Sequence, residues 1–121
     1  SRATAAAVDR GEKPAVPSAI AKYHAPLYYA GGVTDILASP NMSGGFSMLD
    51  SILAPGATSG EGHLDDSSEQ GGYVLEGELT LWLEDEELRL QAGDGFQIPS
   101  HMRSRYANRS QAPVRVLWVY A

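Results

Sequence analysis

The sequence predicts an all-β fold, built as an antiparallel sandwich or barrel. Short apolar stretches alternate with polar residues, and about eight to ten of them have the length of a strand. Glycine, proline, asparagine and aspartate mark turns roughly every 8 to 12 residues, as in sandwiches and barrels. No segment shows the period of a core helix. A chain of 121 residues is expected to form one domain.

Residues 1–20 are predicted to be a linker or N-terminal arm, and residues 21–121 the barrel domain. Pro14 and Pro17 favour an extended chain in the arm. An edge strand is expected over residues 23–29, where Pro26 lacks the N–H that an inner strand would need. A glycine turn then leads to a short strand over residues 33–37.

The strand expected over residues 46–53 presents three apolar side chains on one face, and Asp50 interrupts that face. They are Phe46, Met48 and Ile52. Residues 79–83 alternate strictly and pair with residues 88–90 in a hairpin whose turn is placed at Asp85 and Glu86. Shorter strands are expected at residues 73–75, 96–98 and 105–108. The apolar run over residues 114–120 is expected to be buried on both faces.

Composition excludes several classes of function. The net charge is −6 with a pI near 4.9, so this chain alone is a poor binder of nucleic acid. No apolar run approaches the roughly 20 residues of a membrane-spanning helix, and no membrane partner is expected. No signal peptide is visible at the start, and the absence of cysteine points neither to an oxidising compartment nor against one. The cytoplasm is therefore the expected location.

Three sequence strings and one residue occur in an order that resembles the cupin family: PGATSG, EQGGYVLEGELTLWL, LQAGDGFQIPS and then Asn108. The resemblance covers residues 46–120 and implies a small antiparallel jelly-roll barrel, the double-stranded β-helix. The strings look most like the C-terminal cupin domain of bacterial regulators that carry an N-terminal helix-turn-helix of the lambda-repressor type. Residues 1–20 would then be the linker between the two domains.

Cupin motifs supply three histidines and one glutamate to a divalent metal, and most of these residues are replaced here. Alignment on Gly77, Pro99 and Asn108 places the four ligand positions at His63, Asp65, Gln70 and Ser104. His63 alone keeps the usual residue type. A metal such as zinc, iron, manganese or nickel would depend on His63, Asp65 and Gln70, and this degenerate set favours no cofactor.

The same positions are instead expected to line a polar pocket that hydrogen-bonds a small molecule. The predicted pocket residues are His63, Asp65, Gln70, Ser104, Tyr106 and Asn108. The competing interpretation is that His63 is a loop histidine without a role and that Asp65 and Asp66 are a solvated pair. No nucleophile constellation is visible, so no catalytic residue is predicted.

Arg103 and Arg105 share a strand face opposite to Ser104 and Tyr106. They are expected to lie in solvent with partners among Glu84, Glu86 and Glu87, or else to contact an anionic ligand or a partner. Four aromatic residues are expected in the core or at a dimer contact, and any that line the barrel would stack on a ligand. They are Tyr73, Trp82, Tyr106 and Trp118.

Three functions remain open from the sequence. The first is an effector-sensing domain of a transcription regulator, which is a homodimer, binds a small molecule, and reaches DNA only through a domain absent from this chain. The second is a stand-alone cupin metalloenzyme of the isomerase or dioxygenase type. The third is a structural or storage protein. The missing metal ligands favour the first, and activity as an enzyme is the less favoured expectation.

Overall fold

The computed structural model describes residues 27–29, 31–37, 45–60 and 67–121, and these residues form an all-β fold. The strands are β1 (Leu27–Tyr29), β2 (Val33–Leu37), β3 (Ser47–Leu53), β4 (Gln70–Glu76), β5 (Glu78–Leu83), β6 (Glu86–Gln91), β7 (Gly95–Ile98), β8 (Ser104–Ala107) and β9 (Val114–Tyr120). The predicted linker, residues 1–20, lies outside the described residues. No helix long and apolar enough to cross a membrane occurs in the described ranges.

The strands form two antiparallel sheets. The large sheet has the order β1-β2-β3-β9-β4-β7, and the small sheet has the order β6-β5-β8. Strand β9, the last in the chain, lies between β3 and β4, so residues far apart in sequence are neighbours across it. This crossing order is that of a jelly roll, as the sequence predicted.

The core fills the space between the inner faces of the two sheets. Its fully buried members alternate along each strand, because successive side chains point to opposite faces. Both sheets contribute, as the buried residues show: Leu49, Leu53, Val74, Val114, Val116 and Trp118 from the large sheet, and Leu79 and Leu81 from the small one.

Four details of the predicted strands are corrected by the structure. In β3 the buried face carries Leu49 and Leu53, while the face of Met48 and Ile52 points outward and Phe46 is 54% exposed. The inner face also carries Ser47 and Ser51. Because serine is polar, the sequence pattern assigned this face to solvent and the opposite face to the core.

The turn of the β5–β6 hairpin lies one residue earlier than predicted. Leu83 pairs with Glu86, so the two turn residues are Glu84 and Asp85, and Glu84 has a φ of 51°. Strand β9 is fully buried on one face only, since Arg115 on the other face is exposed. Strand β4 is longer than expected, because Gln70 and two glycines extend it at its start.

Candidate functional site

Gln70 and Ser104 occupy inward positions at the starts of two strands in opposite sheets. Gln70 opens β4 and pairs with Ile98 and Tyr120 on its two neighbours. Ser104 opens β8 and pairs with Leu83 of β5. Both side chains are buried and face the barrel interior.

Trp118 connects the two sheets at this end of the barrel. Its indole Nε1–H donates a hydrogen bond to Oε1 of Gln70 at 3.0 Å. Its ring lies 5.0 Å from the ring of Tyr106, which shares the inner face of β8 with Ser104. Gln70 and the Ser104–Tyr106 face therefore lie on either side of one tryptophan.

Further aromatic rings surround Trp118. Phe96 meets it edge to face with a centroid separation of 5.0 Å, and Tyr120 stacks beside it at 6.2 Å. Such geometries are the favourable ones for aromatic pairs. Phe96 takes its position because Gly72, its cross-strand partner, has no side chain, and a Cβ there would overlap the Phe96 ring.

The sequence did not predict Phe96 and Tyr120 as pocket residues. A signal was present, because Phe96 is two residues before the buried Ile98 and Tyr120 is two residues after Trp118. What the sequence lacked was the register, which joins Gln70 to Tyr120 across fifty positions.

Asn108 is fully buried, and its amide is used within the fold. Its Nδ2 donates to the carbonyl oxygens of Leu53 at 3.0 Å and Ala112 at 2.8 Å. Its Oδ1 accepts from the backbone N–H and the hydroxyl of Ser110 at 3.0 and 2.7 Å. Asn108 thus ties the β8–β9 loop to the end of β3.

His63 and Asp65 lie outside the described residues, and so does Asp66. Their predicted part in a pocket or a metal site stays a prediction. Among the residues that are described, no three histidine, cysteine, aspartate or glutamate side chains come close enough to hold a metal. The Gln70 oxygen already accepts the Trp118 N–H, and a neutral amide with a serine hydroxyl is a poor donor set for a first-row metal.

Arg103 and Arg105 point outward, as their strand parity predicted. Arg103 pairs with Glu84, its Nε lying 3.0 Å from Oε2. Arg105 instead stacks on Trp82, with Cζ 3.7 Å from the ring centroid. Trp82 therefore belongs to the outer face of the small sheet rather than to the core, and Tyr73 is 48% exposed on the outer face of the large sheet.

A shallow groove of about 290 Å³ lies on the outer face of the large sheet, above Gly71. It exists because Gly71 has no side chain between Gln97 and Val119, its partners on the neighbouring strands. Gln97 Nε2 donates to Glu69 Oε1 at its rim. The groove is open, and its lining also includes Gln70 and Phe96.

Comparison with known proteins bears on the family. Residues 50–120 match the model of the cupin domain family. The tetracenomycin polyketide synthase protein TcmJ of Streptomyces glaucescens is 34% identical over 96 residues, which is 78% of this chain and 64% of that protein. The chain thus spans slightly less than two thirds of the length of this relative.

Two solved structures illustrate the similarity of fold. The sugar phosphate isomerase from a cupin superfamily of Silicibacter pomeroyi aligns with a TM-score of 0.67 at 23% identity, covering 81% of this chain and 69% of that one. The Cupin_2 domain of an XRE family transcriptional regulator from Enterobacter cloacae aligns with a TM-score of 0.64 at 23% identity, covering 74% and 95%.

Proposed function

The chain belongs to the cupin family, and we propose that it is a domain that senses a small effector molecule for a bacterial transcription regulator. One observation carries the proposal. Where the family places a glutamate and a histidine for a metal, this chain buries Gln70 and Ser104, and the Gln70 oxygen accepts a hydrogen bond from Trp118. The barrel end is therefore suited to binding a molecule by hydrogen bonds and ring contacts.

The chemistry of the lining residues indicates the class of ligand. Gln70 keeps an amide N–H₂ for a ligand acceptor, and the Ser104 hydroxyl both donates and accepts. Trp118 and Tyr106 add aromatic surface, which is typical of small-molecule sites with a few polar groups on an apolar lining. A planar ring that carries a carboxylate or hydroxyl group fits this combination.

The regulator part of the proposal rests on the order of the sequence strings and on the fold shared with the Enterobacter cloacae regulator domain. In this proposal residues 1–20 link the barrel to a helix-turn-helix domain, and DNA is contacted only through that domain. The protein is a homodimer, which matches a two-fold operator. Its location is the cytoplasm, where such regulators act.

A fluorescence titration tests the ligand site. The sequence has two tryptophans, so Trp82→Phe leaves Trp118 as the single reporter. We expect 2-naphthoate to quench Trp118 in this background, and cyclohexanecarboxylate, which has no aromatic ring, to bind about tenfold more weakly. Ser104→Leu fills the space beside Tyr106 and should abolish the quenching. Quenching that survives Ser104→Leu would place the ligand elsewhere.

The regulator assignment has an independent test. Bases encoding a helix-turn-helix upstream of Ser1 are expected in the gene, and a full-length protein should shift an operator fragment in a gel. If the upstream sequence encodes no such domain, the regulator assignment is wrong, but the proposed binding pocket is not affected.

A second candidate is a cupin enzyme, and the 34% identity to TcmJ favours it specifically. TcmJ is by name a polyketide synthase protein, and a cluster of aromatic rings suits a polyketide-like substrate as well as an effector. In its metalloenzyme form this candidate needs His63 and Asp65 as ligands. Elemental analysis of protein purified without chelators decides between the two candidates. One bound metal per chain that is lost in His63→Ala would favour the enzyme over the sensor domain.

A further inference from the structure

The outer face of the small sheet carries a tryptophan with guanidinium groups around it. Trp82 of β5 stands between Glu87 of β6 and Arg105 of β8, its two partners in register. The Arg105 Cζ lies 3.7 Å from the Trp82 ring centroid, and that of Arg109 lies 5.8 Å away. Arg89, in the next row of β6, completes what we call the Trp82 surface: Trp82, Arg89, Arg105 and Arg109.

The Trp82 surface carries three arginines, and two of them share one carboxylate, that of Glu87. Glu87 accepts from Arg109 at 3.0 Å and lies 3.7 Å from Arg89. Arg105 makes no ion pair within the part of the chain that the structure describes, and its contact there is the Trp82 ring. The surface is thus locally cationic on a chain whose net charge is −6.

The contact with Trp82 orients the guanidinium of Arg105. Stacking on an aromatic ring fixes the plane of a guanidinium and leaves its edge N–H groups directed outward. A fixed guanidinium loses less conformational entropy when it binds a carboxylate in bidentate fashion than a free one does. Trp82 therefore acts as a support that orients Arg105.

We propose that the Trp82 surface docks an acidic peptide segment of a partner protein. Arg89 and Arg105 lie on the two outer strands of the small sheet and are offset by two residues along the strands. Two strand spacings of about 4.8 Å and that offset place their backbones roughly 12 Å apart. One carboxylate cannot span that width. An extended peptide places alternate side chains about 7 Å apart, so successive acidic residues would reach both guanidiniums.

The geometry favours a peptide over a nucleic acid. The face of Trp82 is covered by Arg105, so a base cannot stack on it without displacing the guanidinium. Phosphate backbones also bind through many Lys and Arg residues, whereas this chain has nine in all against fifteen acidic residues.

Fluorescence anisotropy with a fluorescein-labelled hexaglutamate peptide, at low ionic strength, tests the proposal. We expect binding to hexaglutamate but not to hexaglutamine, and a dissociation constant about tenfold higher for Arg105→Gln. Arg10→Gln is the matched control, because it removes the same charge from an arginine of the predicted linker. Its effect should stay within about twofold.

The variant Trp82→Ala distinguishes a specific binding site from nonspecific attraction between the peptide and the surface charge. It leaves every arginine in place but removes the support of Arg105, so hexaglutamate should bind more weakly although the net charge is unchanged. Equal losses in Arg105→Gln and Arg10→Gln, or no binding to hexaglutamate at all, would overturn the proposal. Tighter binding of a twelve-residue oligothymidylate than of hexaglutamate would also overturn it, in favour of a single-stranded nucleic acid.

Discussion

At the scale of single residues, two glycines with the same backbone angle play different parts. Gly77 and Gly56 both have a φ of 83°, a conformation that side chains rarely adopt. A Cβ at Gly77 would lie 2.6 Å from the carbonyl oxygen of Pro113, whereas nothing lies within 4 Å of a Cβ at Gly56. Gly77 therefore serves both the turn between β4 and β5 and the close approach of the β8–β9 loop.

Replacing Gly77 by alanine should destabilise the fold by at least about 2 kcal/mol, because backbone strain and a steric overlap add. Gly56→Ala is the matched control and should cost only the strain, about 1 kcal/mol. Urea denaturation followed by circular dichroism measures both. Similar free energies of unfolding for the two variants would show that the Pro113 contact is relieved by a small shift of the loop.

Gly77 and Asn108 also show what a sequence reveals at this scale. Both were recognised as fixed points of the family motifs, and both occupy structurally demanding positions. Their physical duties were not visible, because these depend on residues from distant strands. Asn108 was expected in the pocket, yet its two donors are used by Leu53 and Ala112. No spacing in the sequence indicates those partners.

At the scale of strands, the β2–β3 pair holds a buried carboxyl group. Asp35 pairs in register with Ser51, whose hydroxyl donates a hydrogen bond to Asp35 Oδ1 at 2.6 Å. Burial raises the pKa of Asp35 above its ordinary value of 3.8, and the Ser51 hydrogen bond opposes that rise. Burial has the larger effect, so the folded protein binds a proton at this site more readily than the unfolded chain.

The pH dependence of stability follows from that direction. Between pH 3.8 and the higher pKa of the folded state, the native protein carries more protons on Asp35 than the unfolded chain does. The stability that Asp35 contributes is therefore fully present below pH 3.8 and is lost as the pH rises through the folded pKa. Asp35→Asn is neutral throughout, so its stability relative to the unaltered protein should increase from acid to neutral pH.

Urea denaturation at several pH values between 4 and 7 checks this expectation. Ser51→Ala is the companion variant, because it removes the hydrogen bond that lowers the pKa of Asp35 and should steepen the loss of stability with pH. Curves that run parallel for all three proteins would mean that Asp35 does not titrate differently in the folded state.

The sequence predicted the positions of the strands better than it predicted which face of each strand is buried. The hairpin of β5 and β6 was visible because leucines alternate with polar residues on a half-buried sheet. In β3 the same rule failed, since Ser47 and Ser51 are buried while Met48 and Ile52 are half-exposed. A hydrophobic pattern indicates the buried face of a strand only when the opposite face meets water and is polar. The outer face of β3 is apolar although it is not part of the core.

At the scale of the whole molecule, the two outer faces differ in chemistry. The small sheet exposes arginine and glutamate around Trp82, as described above. The large sheet exposes apolar side chains, which gather on one surface and come from β3, β4 and β9 and from the residue before β3. They are Phe46, Met48, Ile52, Tyr73, Leu75, Leu117 and Val119. The charged pair among them, Arg115 with Asp50, is bidentate at 2.9 and 2.6 Å and neutralises itself.

The interior site was predicted in part. Inward positions of Gln70, Ser104 and Tyr106 followed from motif spacing and strand parity. The gathering of Phe96, Trp118 and Tyr120 around Gln70 did not, because it requires β9 to lie between β3 and β4. That order is a property of the whole fold and is encoded in no local stretch.

We propose that the homodimer of the proposed function forms through the apolar outer face of the large sheet. Its longest strands have seven residues, and six strands at about 4.8 Å spacing give a face of roughly 550 Å² in flat projection. Stable interfaces bury about 800 Å² of accessible surface per partner. The accessible area of this face is of the same order, because projecting side chains add to the area of the flat projection. The self-neutralised Arg115–Asp50 pair lets two such faces meet without a net charge between them.

Tyr73→Arg tests this interface. Tyr73 is 48% exposed and faces outward from β4 beside Leu117, so the change should leave the monomer folded. Two copies would place like charges in an apolar contact, which costs several kcal/mol and should convert the dimer to a monomer. Gln91→Arg adds the same charge to β6 of the small sheet and should leave the dimer intact. Light scattering coupled to size exclusion reads the mass of each variant, and a Tyr73→Arg protein that stays dimeric would exclude this face as the interface.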